Sequence, residues 1–186
     1  MLVKEDLPIT LAAIGVYLVL KGQRRLGLWV FGLSLAAFVL TITVVIPSMN
    51  PVGEYAFTGD IGPNRTVWET VSTLFTPSQK VLLLAALLAP TAFLALFSPI
   101  TALAVPTLLW RLASVNPSHW TTGFHYNAVL MPILYLGLVD ALTTGRRYLP
   151  APTFRRARMA VVAVCVVMTI GGVTLEPLGR LTDPVT

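Results

Sequence analysis

The chain has 186 residues, 55% of them hydrophobic and 11% charged, with a net charge of +5 and a mean hydropathy of +0.78. Soluble domains carry about 25% charged residues, and here the charges are also clustered: none lies between Leu26 and Gly53, between Val81 and Trp110, or between Met159 and Leu175. A water-soluble core can hide one such run but hardly all of them in a chain of this size, whereas lipid accepts every one, so composition excludes an ordinary soluble domain and indicates an integral membrane protein.

Six apolar segments follow one another along the chain. Met1 to Asp6 precedes the first; its acidic pair and the lack of a small-residue cleavage site argue against a signal peptide. The first segment is Leu7 to Leu20, with Pro8 where a helix N-terminus tolerates it and Lys4 and Lys21 placed to snorkel. The second, Leu26 to Ile46, is the cleanest span, and Pro47 is expected to stop it. The third is Val81 to Phe97, with a kink expected at Pro90, and Ser98-Pro99 then makes a tight turn. The fourth, Ile100 to Leu112, carries Pro106; the fifth, Ala128 to Leu142, carries Pro132. The sixth is Met159 to Leu175, with Gly171-Gly172 near its end and Cys165 inside as a small hydrophobe.

Hydrocarbon requires backbone groups to be satisfied within the segment, so these continuously apolar runs are read as helices and not as barrel strands. The expected fold is therefore all-α, a polytopic transmembrane helical bundle of about six segments. The third and fourth either span or form a re-entrant hairpin. Basic residues set the orientation. Lys21, Arg24 and Arg25 lie between segments one and two, and Arg146, Arg147, Arg155, Arg156 and Arg158 between five and six. Both loops are placed in the cytoplasm, which puts the N-terminus and C-terminus on the outer side of a bacterial plasma membrane. The expected division is a bundle over residues 1–145, a basic cytoplasmic loop over 146–158, and a last helix with a short outer tail over 159–186. An outside N-terminus with nothing to carry it across is most simply explained by an upstream segment that precedes this chain.

Two outer loops remain. Ser48 to Lys80 is rich in glycine and proline and reads as an irregular or only partly helical solvated connector. Its Asn64-Arg65-Thr66 matches the glycosylation sequon, a short and weak pattern. The loop from Arg111 to Asn127 gathers a cation, two histidines, three aromatics and several hydroxyl and amide groups between apolar segments. Trp110, Trp120 and Tyr126 are, each alone, ordinary interfacial aromatics. His119 and His125, six apart and without a cysteine or nearby acid, are poor metal ligands and suit hydrogen bonds to phosphate or sugar hydroxyls. Arg111 closes an apolar run, where a guanidinium must snorkel or pair, and its fork matches a phosphate. Glu5 and Asp6 start the first helix on the same side, where the dipole favours acids; they could also face this loop across a cleft. Asp140 is expected to pair with Arg146 and Arg147. No glycine-rich phosphate loop, nucleophile elbow, zinc motif or nucleic-acid module is present. No cofactor, metal or nucleic-acid partner is expected.

Three strings carry a resemblance: Val3-Lys4-Glu5-Asp6-Leu7; Gly27-Leu28-Trp29 through Val45-Ile46-Pro47-Ser48-Met49-Asn50-Pro51; and Leu94 to Pro99 followed by Pro106 to Arg111 and Gly123 to Pro132. In order and spacing they resemble the bacterial predicted membrane proteins of domain of unknown function 2079, over roughly Leu2 to Asp140. That family in turn resembles the GT-C glycosyltransferases, polytopic enzymes that take a sugar from a polyprenyl-phosphate carrier on the outer face. The resemblance is to the C-terminal half of longer family members. It implies that the catalytic acid lies upstream of this chain, or that a partner membrane subunit completes it, and that this chain alone is inactive. Arg111, His119, His125 and Tyr126, with Glu5 and Asp6, are then the candidate contacts to carrier or acceptor. The alternatives are a membrane scaffold, or a transporter subunit with helices broken at Pro90 and Pro106. The latter lacks a midplane charge in segments two to six, apart from Asp140 towards one end.

Overall fold

The structure, a computed structural model, describes residues 7–49, 65–122, 125–145 and 150–175. Among these residues it is all-helical, with no strands. Helix α1 (Leu7–Leu20) is followed by α2 (Arg24–Met49), the short α3 (Val67–Ser72) and α4 (Ser78–Leu88). Tight 3-10 turns then run over Ala89–Thr91, Leu94–Phe97 and Pro99–Ala104 before α5 (Val105–Ala113). Further 3-10 turns at Pro117–Trp120 and His125–Asn127 lead to α6 (Leu130–Gly145) and α7 (Ala151–Leu175).

The chain divides into two compact units. One comprises Met1–Thr76 and Leu103–His119, the other Pro77–Ala102 and Trp120–Thr186. In the first, α1 and α2 form a close hairpin. Its turn is a glycine C-cap: Gly22 is left-handed at φ 89°, its N–H bonds to Val19 O, and the Gln23 N–H bonds to Leu18 O, both at 3.0 Å. The contacting face is built largely of small residues, with the Val19 side chain packed on Gly27. Thr10, Ala12, Gly15, Gly27 and Ser34 are the buried positions of the two helices. A Cβ on Gly15 would sit 2.6 Å from Phe31 N and 2.8 Å from Gly27 O, and one on Gly27 would sit 2.6 Å from Gly15 O, so the backbones themselves touch.

Large apolar side chains point the other way. Leu11, Val16, Leu20, Leu28, Trp29, Leu33, Val39 and Leu40 are all exposed. Helix α2 is 26 residues long with a mean hydropathy of 2.4 in its most apolar stretch, of which only 6% is buried. At 1.5 Å per residue it is about 39 Å long, enough to cross a hydrocarbon core of about 30 Å. Small residues between helices with large apolar ones outside is the arrangement expected in lipid, where close backbone packing replaces the hydrophobic effect as the force joining helices. Pro47 does not end this helix. The turn before it, Thr41–Val45, is a π-helix in which the Ile46 N–H reaches back to Thr41 O. The wider turn carries the backbone past the carbonyl that the proline ring would crowd. Thr41 and Thr43 hydroxyls donate to Ala37 O and Val39 O, each at 2.7 Å.

In the second unit α6 packs against the 3-10 turn Leu94–Phe97, and α7 against Ala89–Thr91. Here the chain breaks where a kink was expected. Beyond Pro90, Ala92 and Phe93 are both left-handed, at φ 48° and 61°. Gly137 on α6 allows this irregular stretch to come close: a Cβ there would collide with Thr101 Oγ1 and lie 3.4 Å from Ala95 O. Thr101 Oγ1 donates to Ala95 O at 2.6 Å. Leu83, Leu87, Thr91, Ala95, Ser98, Leu130 and Leu134 are buried. The expected loop over 146–158 is also shorter than its sequence implied. Helix α7 begins at Ala151, so Arg155, Arg156 and Arg158 ride on its first two turns.

Candidate functional site

Helix α5 has one buried face, formed by Thr107, Arg111 and Leu112. Thr107 faces α1, where its hydroxyl lies 3.3 Å from that of Thr10. Arg111, one turn on, is 0% exposed and does not snorkel. Its Nε donates to the carbonyl of His119 at 2.9 Å, which sets the plane of the guanidinium. The connection that brings His119 back is built from short polar side chains. Ser114 ends α5, and its hydroxyl accepts from the Asn116 N–H at 3.1 Å. Asn116 Oδ1 accepts from the Ser118 N–H at 3.0 Å, and Asn116 O from the His119 N–H at 3.1 Å. These side-chain turns are what Ser and Asn favour outside helices. The buried His119 ring then lies with Nδ1 2.7 Å from Ser114 Oγ and its centroid 4.6 Å from that of Trp110. Arg111, Ser114, His119 and Trp110 thus form one dense cluster within the first unit.

The second unit holds the other polar positions. Lys80, in the first turn of α4, is 1% exposed, and its Nζ lies 4.9 Å from the centre of the Trp120 ring, within cation–π range. Ser98 Oγ donates to Asp140 Oδ2 at 2.6 Å and accepts from the Ile100 N–H at 3.1 Å. Ser98 is therefore the partner that the structure gives Asp140; Arg146 and Arg147 lie outside the described residues.

Of the sequence candidates, the structure brings Arg111 and His119 together. Tyr126 stands in the 3-10 turn His125–Asn127 of the other unit, a turn that packs against α6. The backbone of His125 is in that same turn, and its side chain lies outside what is described. Glu5 and Asp6 lie outside the described residues. Among the described residues no three His, Cys, Asp or Glu gather as a metal site.

Two features escaped the sequence reading. Lys80 ends a stretch whose composition reads as a solvated connector, and its place directly before the apolar run at Val81 is the signal of its burial. The same connector contains a capping box, Thr66-Val67-Trp68-Glu69, whose Thr-x-x-Glu spacing is legible in sequence. Thr66 Oγ1 accepts from the Glu69 N–H at 3.2 Å, and Glu69 Oε2 accepts from the Thr66 N–H at 2.7 Å. The Thr66 N–H and the Thr66 hydroxyl, which also donates to Oε2 at 2.9 Å, hold the Glu69 carboxyl below the usual glutamate range, with a smaller contribution from Arg65.

A family model described as "Predicted membrane protein (DUF2079)" matches residues 1–182. No curated protein and no solved structure matches the chain.

Proposed function

The chain belongs to this family of predicted membrane proteins, and on that premise we propose that it is a multi-pass protein of the bacterial plasma membrane whose Arg111–His119 cluster binds the phosphate of a polyprenyl-phosphate sugar carrier. In this reading the chain is the carrier-binding part of a GT-C-like glycosyltransferase, and the catalytic acid belongs to a different segment or subunit. The cluster faces the outer side, and the arginines of α7 and of the α1–α2 turn face the cytoplasm.

The supporting observation is the burial of Arg111, at 0% exposure, with its Nε held by the His119 carbonyl. A buried guanidinium is costly, and in a membrane protein such a residue marks a functional site by default. Holding it by hydrogen bonds before a ligand arrives removes the need to reorganise as phosphate charge develops during sugar transfer. A planar fork suits a phosphate better than an ammonium does, because it donates two parallel bonds.

The test is binding of a short-chain polyprenyl phosphate to the detergent-solubilised protein, with the matching polyprenol as the uncharged control. The phosphate is expected to bind at least about tenfold more tightly than the alcohol, and Arg111→Lys to abolish that preference while the melting temperature stays near the wild-type value. Equal affinity for phosphate and alcohol, or an unchanged preference in Arg111→Lys, would leave the cluster a purely structural clasp and favour the scaffold reading.

A further inference from the structure

We propose a second site, independent of the carrier-binding reading: an anionic glycerophospholipid seats one acyl chain in the groove between α6 and α7 and its phosphate against Arg158. The groove has a volume of about 340 Å³ and is lined by Val139, Leu142 and Thr143 from α6 and by Phe154 and Arg158 from α7. Its wall is almost wholly apolar. The Thr143 hydroxyl is turned onto its own helix, donating to Asp140 O at 2.9 Å. Arg158 is the one charged residue of the lining.

The described charge beside the groove is mostly positive. Helix α7 contributes Arg155, Arg156 and Arg158 and no Asp or Glu over Ala151–Leu175. Asp140 is the nearest acid in sequence, and its carboxylate accepts the Ser98 hydroxyl at 2.6 Å. Phe154 and Arg158 are four residues apart on α7, and Arg155 and Arg158 three apart, so the ring, the guanidinium and a second cation share one helix face. Arg155, Arg156 and Arg158 are all exposed.

Helix energetics do not account for them. They occupy the first two turns of α7, the end at which the helix dipole disfavours cations. Their placement is compensated if an anion stands opposite. Beyond Arg158 the helix carries exposed Met159, Val162, Val166, Val167 and Ile170 and no charge up to Leu175, so the cations end where the lipid-facing surface begins. A ligand with a hydrocarbon tail and a phosphodiester head, lying parallel to the helices, fits both halves of this surface. Basic pockets between transmembrane helices recognise anionic headgroups by the same chemistry.

The experiment offers the detergent-solubilised full chain an equimolar mixture of phosphatidylglycerol and phosphatidylcholine and counts retained lipid by native mass spectrometry. Wild type is expected to retain phosphatidylglycerol about fivefold over phosphatidylcholine, the preference one arginine supplies. Arg158→Gln is expected to lose that preference, while Arg155→Gln/Arg156→Gln keeps at least half of it. Leu142→Trp, which fills the groove without touching a charge, is expected to lower retention of both lipids. Loss in proportion to the number of arginines removed, whichever they are, would overturn the proposal in favour of a diffuse basic surface. So would an unchanged Arg158→Gln, or displacement of the lipid by a soluble acidic peptide. Melting temperatures of all variants separate loss of the site from loss of the fold, and Arg158→Gln, an exposed change, decides the matter if Leu142→Trp fails to fold.

Discussion

Two helices in this chain end in the same hydrogen-bond pattern, one in each unit. After α1, Gly22 N–H bonds to Val19 O and Gln23 N–H to Leu18 O, both at 3.0 Å; after the Pro90 turn, Ala92 N–H bonds to Ala89 O at 2.9 Å and Phe93 N–H to Leu88 O at 3.1 Å. The first cap uses glycine at the left-handed position and the second uses alanine, with Phe93 left-handed as well. Glycine accepts that conformation without steric cost, whereas an L side chain there costs about 1–2 kcal/mol. The α1 cap is therefore stable by local chemistry alone. The cap beyond Pro90 needs help from its surroundings, and it has it: Thr91 and Ala95 are both 0% exposed. A conformation that the local sequence disfavours persists because packing over-determines it. Proline position shows the same division. Pro47 is passed by a π-turn inside a continuous α2, while Pro90 stands in a full break.

The largest effect expected is on the close hairpin of the first unit. In Gly15→Ala the new methyl meets backbone atoms of Phe31 and Gly27 below 3 Å, which cannot yield as a side chain can. Thermal unfolding in detergent should show a loss of about 3 kcal/mol, the upper end for overpacking. A loss below about 1 kcal/mol would mean that the helices separate freely and that small-residue packing does not hold the hairpin.

In the second unit, Ser98→Ala removes the donor to Asp140 Oδ2 and the acceptor of the Ile100 N–H. About 2 kcal/mol is expected, because one partner is a carboxylate. Ser98→Thr, which keeps the hydroxyl, should recover most of it.

The two caps make opposite predictions. Ala92→Gly should stabilise by about 1 kcal/mol, and Gly22→Ala should destabilise by a similar amount. Around Gly22 a Cβ would meet nothing within 4 Å, so that loss would be conformational only. If Ala92→Gly destabilises instead, its methyl is part of the packing that holds the break, and alanine is not a liability at that cap.

The smallest effect is in α3, whose capping box lies outside both comparisons. The Glu69 carboxyl has a depressed pKa in the fold, so its contribution is fully present above the ordinary glutamate value. It is lost as pH falls through the depressed value. Amide exchange over Val67–Ser72 should therefore lose protection only below the ordinary glutamate range, and Glu69→Gln should remove that pH dependence. A transition in the ordinary glutamate range would show that the Thr66 hydrogen bonds do not hold in solution.

Much of this molecule was legible in its residues. Continuous apolar runs can satisfy their backbone groups in lipid only as helices, and that reasoning located α1 at its observed limits and α2 and α6 to within three residues, while the run from Val81 leaves the α-helix after Leu88 and α7 begins eight residues before Met159. The concentration of polar side chains between Arg111 and Asn127 identified the stretch from which Arg111 and His119 come together. Proline chemistry marked where helices are perturbed. It did not say whether each perturbation is absorbed or becomes a break, because that depends on what packs against the segment: hydroxyls bonded to their own helix in α2, and Gly137 of α6 in the second unit. Burial was equally out of reach. Arg111 and Lys80 border apolar runs in much the way that snorkelling cations do, and only the tertiary structure decided that both are enclosed. The reason is physical. Backbone hydrogen bonding and hydropathy act between near neighbours in sequence, whereas the environment of a charge is set by residues that arrive from elsewhere in the chain.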